Sequence, residues 1–571
     1  MTRFEVWAPN AGRSVDVVVD GQRMSMTQGE RGWWSADADG RRYGFSIDGG
    51  DTRPDPRSPS QPDGVDGLSA VVDHAAFGWT DSAWRGLPLA SAVVYELHVG
   101  TFTPAGTFDG VVEKLPHLVD LGVDVIELLP VNEFPGSRGW GYDGADLYAP
   151  HHAYGGPDGL KRLVDAAHDA GLAVVMDVVY NHLGPAGNHL GEFGPYFTDK
   201  YETPWGMAVN LDDRGSDEVR RFFLDNALMW LRDYHCDGLR IDAVHALVDT
   251  SAMHLLEEMA IEVEVLQSAV GRTLFLIAES DLNDPRVVAR REVGGYGIDA
   301  QWSDDFHHAL HAALTGERSG YYADFGSLEQ LATALRRAFV YAGDFAPDRG
   351  RRHGRVPAGI SGSRFLGYLQ DHDQIGNRAI GERSSHLLDD DLLRVAAALV
   401  LTSPFVPMLF MGEEWGASTP FQYFTDHPDE DLGRAVSEGR RREFSSFGWR
   451  PEDVPDPQDV ATFDRSRLDW SEPLATGAPA DLLAWHRDLI RFRRSHPDLT
   501  DGDLSRVDVE VDEEARHLLV RRGCVAIAVN LGDSPWAVPP GLGRVRLSST
   551  PAVAVGEAAL EVPPRAVVVA D

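Results

Sequence analysis

From Ser91 onward, short apolar runs alternate with longer stretches in which apolar residues recur at i, i+3 and i+4. Continuous apolar runs of this length predict strands buried on both faces, and the three-to-four spacing predicts amphipathic helices. The strand candidates number eight: V-V-Y-E-L-H-V, V-D-V-I-E-L-L-P-V, L-A-V-V-M-D-V-V-Y, D-G-L-R-I-D-A-V, T-L-F-L-I-A-E, G-I-D-A-Q-W-S, F-L-G-Y-L-Q-D-H-D and P-M-L-F-M-G-E. Helical windows at Gly110–Leu121, Asp158–Ala170, Asp217–Tyr234 and Leu328–Ala342 fall between them, and Asp481–His496 follows the last. Strand–helix units of this number over about 400 residues predict a (β/α)8 TIM barrel. A doubly wound sheet is the alternative, but no G-x-G-x-x-G follows a strand and no P-loop occurs.

The pattern differs at the two ends. Met1 to about Phe77 alternates over short runs separated by Gly, Asp and Asn, as a β-sandwich does. Its aromatics Trp33, Trp34, Tyr43 and Phe45 suit core packing, with a sugar-stacking face as the other reading. Gly50–Gly67, dense in Pro, Asp and Gly, reads as an ordered linker. Short strands return beyond Asp501 in H-L-L-V-R-R, C-V-A-I-A-V-N-L and A-V-V-V-A-D. The expected domains are therefore residues 1–90 as β-sandwich and linker, 91–500 as barrel, and 501–571 as a C-terminal β domain. Asn181–Asp213 and Ile298–Ser327 read as long loops facing the barrel mouth. Tyr196, Phe197, Tyr201 and Trp205 in the first of them are candidate platforms for sugar rings.

A net charge of −37 on 571 residues disfavours nucleic acid and anionic membrane surfaces, and leaves neutral sugars unaffected. Cys236 and Cys524 lie far apart, outside any C-x-x-C spacing, so neither a disulfide framework nor structural zinc is expected. No apolar run reaches the roughly 18 residues of a membrane span, and a cytoplasmic setting is expected.

Candidate chemistry sits at the ends of four strands: Asp177–His182, Gly238–His245, Ile277–Asp281 and Gln370–Asp373. Each acidic residue there ends an apolar run and would be drawn toward a barrel mouth. One such end could be a structural ion pair; several together would be costly to desolvate without a chemical use. Two carboxylates at an aromatic-rich mouth suggest glycoside hydrolysis, which needs one carboxyl as nucleophile or base and a second as proton donor. A phosphoryl-transfer or aldolase site would show a phosphate nest or a strand-end Lys. A divalent-metal site stays open, although Arg240 beside Asp242 would compete with a cation.

These four motifs, in this order, resemble those of the alpha-amylase family of retaining glycoside hydrolases, over about Ser91 to Trp470. F-E-V-W-A-P-N-A resembles the sandwich that precedes the barrel in its debranching and branching members. Runs such as Y-E-L-H-V-G-T-F-T-P-A-G-T-F, E-F-P-G-S-R-G-W-G-Y-D-G, A-E-S-D-L-N-D-P-R and D-H-D-Q-I-G-N-R draw the likeness toward the branch that releases trehalose. The chain departs from the family pattern at Asp371, where Asn is usual before the His-Asp pair, which would add a charge beside the site. The resemblance implies that Asp242 is the nucleophile, Glu279 the acid/base, and Asp373 the group that grips and distorts the reacting ring. It implies that Arg240 keeps Asp242 ionised and oriented, and that His182 and His372 hydrogen-bond the sugar. Tyr142 would stack under the ring and His245 lie on the leaving-group side. For His182 and His372 satisfied core histidines are the plainer alternative, and for Tyr142 simple packing. Glu413–Glu414 is an open candidate for substrate contact.

The implied reaction is hydrolysis of the α-1,4 bond next to a terminal trehalose on a malto-oligosaccharide. No cofactor and no metal are implied, nor any nucleic-acid or membrane partner. A pathway link to the synthase that makes the substrate is implied without a physical complex. An α-glucan branching enzyme and a silent glucan-binding protein are the rivals; the intact trio Asp242, Glu279 and Asp373 speaks against the second.

Overall fold

The computed structural model describes residues 1–203, 206–445, 449–539, 541–555 and 560–571. All eight apolar runs form strands: Val94–Leu97, Val125–Leu128, Ala173–Val178, Gly238–Ile241, Phe275–Ala278, Ala300–Trp302, Phe365–Gly367 and Val406–Phe410. They pair in parallel in chain order, and the last closes onto the first through Met408 and Val94. Helices such as Gly156–Asp169 and Ser216–Arg232 cover the outside; Leu160, Leu163, Val164 and Ala167 of the former are buried.

Alternation along the strands decides what the interior holds. One set of alternate residues is apolar in the lower layers: Val94, Val125, Val175, Phe275, Ile277, Ala300, Val406 and Met408 form a single buried cluster. The same parity turns polar toward the strand ends, at Glu96, Glu127, Asp177, Arg240, Asp242 and Glu279. Gly238 is required at its layer, since a Cβ there would lie 2.7 Å from the Phe275 ring. The barrel is thus an apolar plug under a polar floor.

Two sheets at the N-terminus carry Thr2–Trp7 with Trp33–Ala38, and Val15–Val19 with Arg42–Ile47. Trp34, Tyr43 and Phe45 are buried, and Tyr43 donates to Asp55 at 2.8 Å, fixing the Pro-rich segment. The sandwich meets the barrel through the edge-on pair Trp7–Tyr196 and through the Trp33 indole on Glu218. Beyond Asp501 a five-stranded and a three-stranded sheet follow. Among the described residues no helix is long and apolar enough to cross a membrane.

Several expectations need correction. Past its expected strand, Ile298–Ser327 is not a long loop: it holds the helix Asp304–Thr315, whose polar residues hid its period. The Leu328 helix stops at Arg337 instead of Ala342, because Ala338 turns to a φ of 65°. Asn181–Asp213 is long but structured, with a hairpin of Phe197–Thr203 and Gly206–Val209. Among its described aromatics, Tyr196, Phe197 and Tyr201 do not line the mouth cavity; Tyr196 is buried and Tyr201 donates to Asp212, while Trp205 lies outside the described residues.

Candidate active site

Arg240 is the hub of the polar floor and is wholly buried. Its Nη1 donates to both oxygens of Asp177 at 3.0 and 2.9 Å and to Asp242 Oδ1 at 2.7 Å. Its Nη2 lies 3.8 Å from Glu279 Oε2, and the guanidinium sits 4.3 Å above the Trp302 ring. Burial works against its charge, but Asp177, Tyr142 and Asp242 hold its pKa above the ordinary value. Asn181 secures the other side of Asp242, donating from Nδ2 to Oδ2 at 2.8 Å and to the main-chain carbonyl at 2.9 Å. Removing one partner from such a buried cluster strands the others. Arg240→Met is therefore expected to lower stability by about 3–5 kcal/mol in urea unfolding; a loss within experimental error would contradict this role.

Ala243 bends the chain directly after Asp242. It holds a left-handed conformation, φ 39° and ψ 52°, which a side-chain-bearing residue adopts at some strain. The bend aims its N–H at Glu279 Oε2, 2.6 Å away. Glu279 is raised well above the usual carboxyl range, first by burial and then by Asp242, Asp304 and Asp373, against the pull of Arg240. A carboxyl held protonated in this way is equipped to donate a proton.

The two histidines differ in charge. Burial would lower the His372 pKa, but Asp373, Glu96 and Asp371 together raise it to about 10. Its Nδ1 meets Glu96 Oε1 at 2.5 Å, and its Nε2 lies 3.5 Å from Asp373 Oδ1. His182 is lowered by burial, so its ring is neutral, with Nδ1 against Asn181 Oδ1. Tyr142 stacks at 16° on His372 and donates to Asp177 Oδ2 at 2.5 Å, which is more than packing. Asp373 stays half-exposed toward the opening.

Asp371 serves as a helix cap. Its carboxyl accepts from the backbone N–H of Asp373 at 2.9 Å and of Gln374 at 3.1 Å, capping the short helix that carries Asp373. Burial, then Glu96, push its pKa well up against the pull of His372, and its carboxyl supplies the acceptor that Asn would. Glu413 and Glu414 are corrected away from substrate: both are buried, Glu414 accepts from Tyr95, and His117 Nε2 lies 2.7 Å from it.

Above the floor opens a cavity of about 540 Å³ that brings together Asp242, Glu279, Asp373, Tyr142, His182 and His245. Arg240 and His372 support this wall from beneath. Sequence reasoning missed Asp304, His308, Tyr321 and Arg349, which also line it. Asp304 and His308 follow the sixth strand, where a polar strand end signals the mouth as at the other four. Arg349 had no such signal: it sits at the tip of a hairpin, Phe345–Ala346 with Arg351–Arg352, in a helix-to-strand connection, the side of a barrel unit that usually faces away from substrate.

Among the described residues one group has metal-ligand geometry, Glu133, His151 and His152. Most of its ligand atoms are already engaged. Glu133 accepts from the His152 N–H at 2.9 Å and meets its Nδ1 at 2.6 Å, while His151 Nδ1 accepts from Ala153 N–H. That last bond puts the neutral-ring proton of His151 on Nε2, where a metal would need a lone pair. The group lies outside the cavity lining.

Comparison with known proteins adds three findings. The chain matches the alpha-amylase catalytic domain over residues 58–194 and a domain of unknown function, DUF3459, over residues 502–569. It is 52% identical to malto-oligosyltrehalose trehalohydrolase of Arthrobacter ramosus over 95% of both chains, and 51% identical to that of Mycobacterium tuberculosis over 94% of both. A 1,4-alpha-glucan branching enzyme of Corynebacterium jeikeium is 31% identical over 72% of this chain and 60% of its own. Among solved structures, a Salmonella typhimurium protein described as a candidate alpha amylase superposes with a TM-score of 0.92 at 38% identity, covering 100% of this chain and 97% of that one.

Proposed function

The chain belongs to the malto-oligosyltrehalose trehalohydrolase family of alpha-amylase-type glycoside hydrolases, and from that premise we propose that it cuts the α-1,4 bond next to the terminal trehalose of malto-oligosyltrehalose by double displacement. The observation that carries the reading is the pairing at one cavity of a carboxylate clamped by Arg240 and Asn181 with a second carboxyl that burial keeps protonated. Retaining hydrolysis needs this division of labour.

In the first step Glu279 gives its proton to the glycosidic oxygen while Asp242 attacks C1. The bond to trehalose breaks, and a glycosyl ester forms on Asp242. In the second step Glu279, now ionised, takes a proton from water, whose oxygen displaces Asp242 from C1 and restores the α configuration. Asp373 holds the hydroxyls of the reacting ring, and His372, a cation bridging Glu96 and Asp373 from beneath, keeps that carboxylate in place. His182, its Nδ1–H given to Asn181 Oδ1, offers Nε2 as an acceptor to a sugar hydroxyl, and Tyr142 presents its face beneath. The Asp373 carboxylate and the Tyr142 face hold the ring more strongly as positive charge develops on it. His245, exposed at the rim, stands toward the leaving group. The reading includes a cytoplasmic setting and a substrate delivered by a synthase that converts the reducing end of an α-glucan to a trehalosyl end.

Branching enzymes pass through the same covalent intermediate, so the acceptor separates the two functions. Incubated with amylose, the protein is expected to form no α-1,6 linkages detectable by debranching and chromatography; their appearance would move the assignment to transglycosylation.

A further inference from the structure

Strand alternation sends Glu96 and Glu127 into the barrel side by side, one step below the clamp that holds Asp242. They are register partners on the first and second strands, and Glu127 leads through Val175 to Gly238, two residues before Arg240. Each is 1% exposed. Directly beneath is the apolar plug, with Val94 and Val125 two residues earlier on the same strands.

The two carboxyls are partnered unequally. Glu96 accepts from the His372 N–H at 3.1 Å and meets its Nδ1 at 2.5 Å. Neither oxygen of Glu127 has a hydrogen-bond partner among the described residues, whereas buried polar groups are nearly always partnered. The neighbouring cations are committed elsewhere: Arg240 pairs with Asp177, Asp242 and, at greater distance, Glu279, and His372 pairs with Glu96 and Asp373. On Arg240, however, Nε and Nη2 also lack a hydrogen bond. Adjacent buried carboxyls resist ionising together. A charged Glu127 would moreover draw the unbonded edge of Arg240 down and away from Asp242. The guanidinium instead gives Nη1 to Asp177 and Asp242.

Resting on the assignment of Asp242 as nucleophile, we propose that Glu127 is a positioning residue for the hydrolysis, a neutral carboxyl beneath Arg240 that leaves the guanidinium on Asp242 and Asp177. A protonated carboxyl keeps a carbonyl oxygen, which takes up Arg240 Nε or Nη2 through a bridging water without competing as a charge. An apolar residue there would strand those donors, and a permanent carboxylate would divide the cation between two levels of the barrel. The chemistry around Glu127 agrees. Burial above all, with Glu96 and Asp177, raises its pKa well above the usual carboxyl range, and Arg240 and His372 pull the other way. Those four are the charged groups that face it, from the first, third and fourth strands and from the short helix His372–Gly376.

The test compares Glu127→Leu with Glu127→Gln. The Leu variant is expected to lose about 10- to 100-fold in kcat on maltotriosyltrehalose, with KM within about threefold, because Arg240 aims the nucleophile without touching substrate. Gln keeps an acceptor and cannot ionise, so it is expected to recover turnover to within about fivefold of wild type. Thermal unfolding against pH reads the proton itself. A carboxyl whose folded pKa is raised destabilises the fold as pH climbs from its unfolded value through its folded one. Gln removes that effect, so its melting temperature should rise relative to wild type between about pH 5 and pH 9. A Gln variant as slow as the Leu variant, a Leu variant with wild-type kcat, or a melting difference independent of pH would overturn the proposal. If the Leu variant does not fold, the Gln variant's turnover and melting still decide. A wild-type protein that releases no trehalose would instead remove the reading of the reaction, and the melting comparison would still report on Glu127.

Discussion

Asp242→Asn is expected to reduce turnover by about 10⁴-fold or more while leaving oligosaccharide binding largely intact. The amide keeps the volume of the carboxyl but forms no stable ester with C1. It also sets a second donor against Arg240 Nη1 or Asn181 Nδ2, which now flank the carboxylate at 2.7 and 2.8 Å. The loss should fall on kcat, since Tyr142, His182 and Asp373 still hold the ring. Single-turnover kinetics together with calorimetric binding separates the two effects. More than about 1% residual activity in a pure preparation would place the nucleophile elsewhere.

Glu279→Gln is expected to cost about 10²- to 10⁴-fold on malto-oligosyltrehalose, the range for loss of a positioned acid. Glutamine can still accept the Ala243 N–H, so the fold around the site should stand. The signature is the dependence on leaving group: α-maltotriosyl fluoride, whose departure needs no proton, should be spared in its first step. The pH profile supplies the sign. Burial raises the Glu279 pKa, and the working form is the protonated one, so it is populated below that pKa and wild-type activity falls as pH rises through it. In the variant this basic limb should vanish on the fluoride substrate. An unchanged basic limb would assign it to another group.

The barrel was legible because parallel strands buried on both faces read as unbroken apolar runs, and all eight were visible. That Asp242, Glu279 and Asp373 meet at one cavity was legible for a related reason, since a charged residue ending an apolar run has only the mouth to face, while the roles proposed for them came from the family resemblance. What escaped were contacts made across sequence. Asn181 holds Asp242, Glu96 holds His372, and Asp371 caps the short helix that carries Asp373, and each depends on burial that composition does not display. Asp304 and His308 were hidden because the polar start of their helix resembled a loop. Arg349 was hidden more deeply, since it reaches the mouth from a helix-to-strand connection. Tyr196 erred the other way: an aromatic in a polar segment suggested a platform, yet it packs between Trp7 and Phe222.

The most direct measurement is product analysis by chromatography after incubation with maltotriosyltrehalose, with maltopentaose in parallel. Free trehalose and maltotriose in equal amounts, with maltopentaose nearly untouched, is the predicted result. Cleavage of maltopentaose at a comparable rate, or glucose and maltose without trehalose from the first substrate, would contradict it.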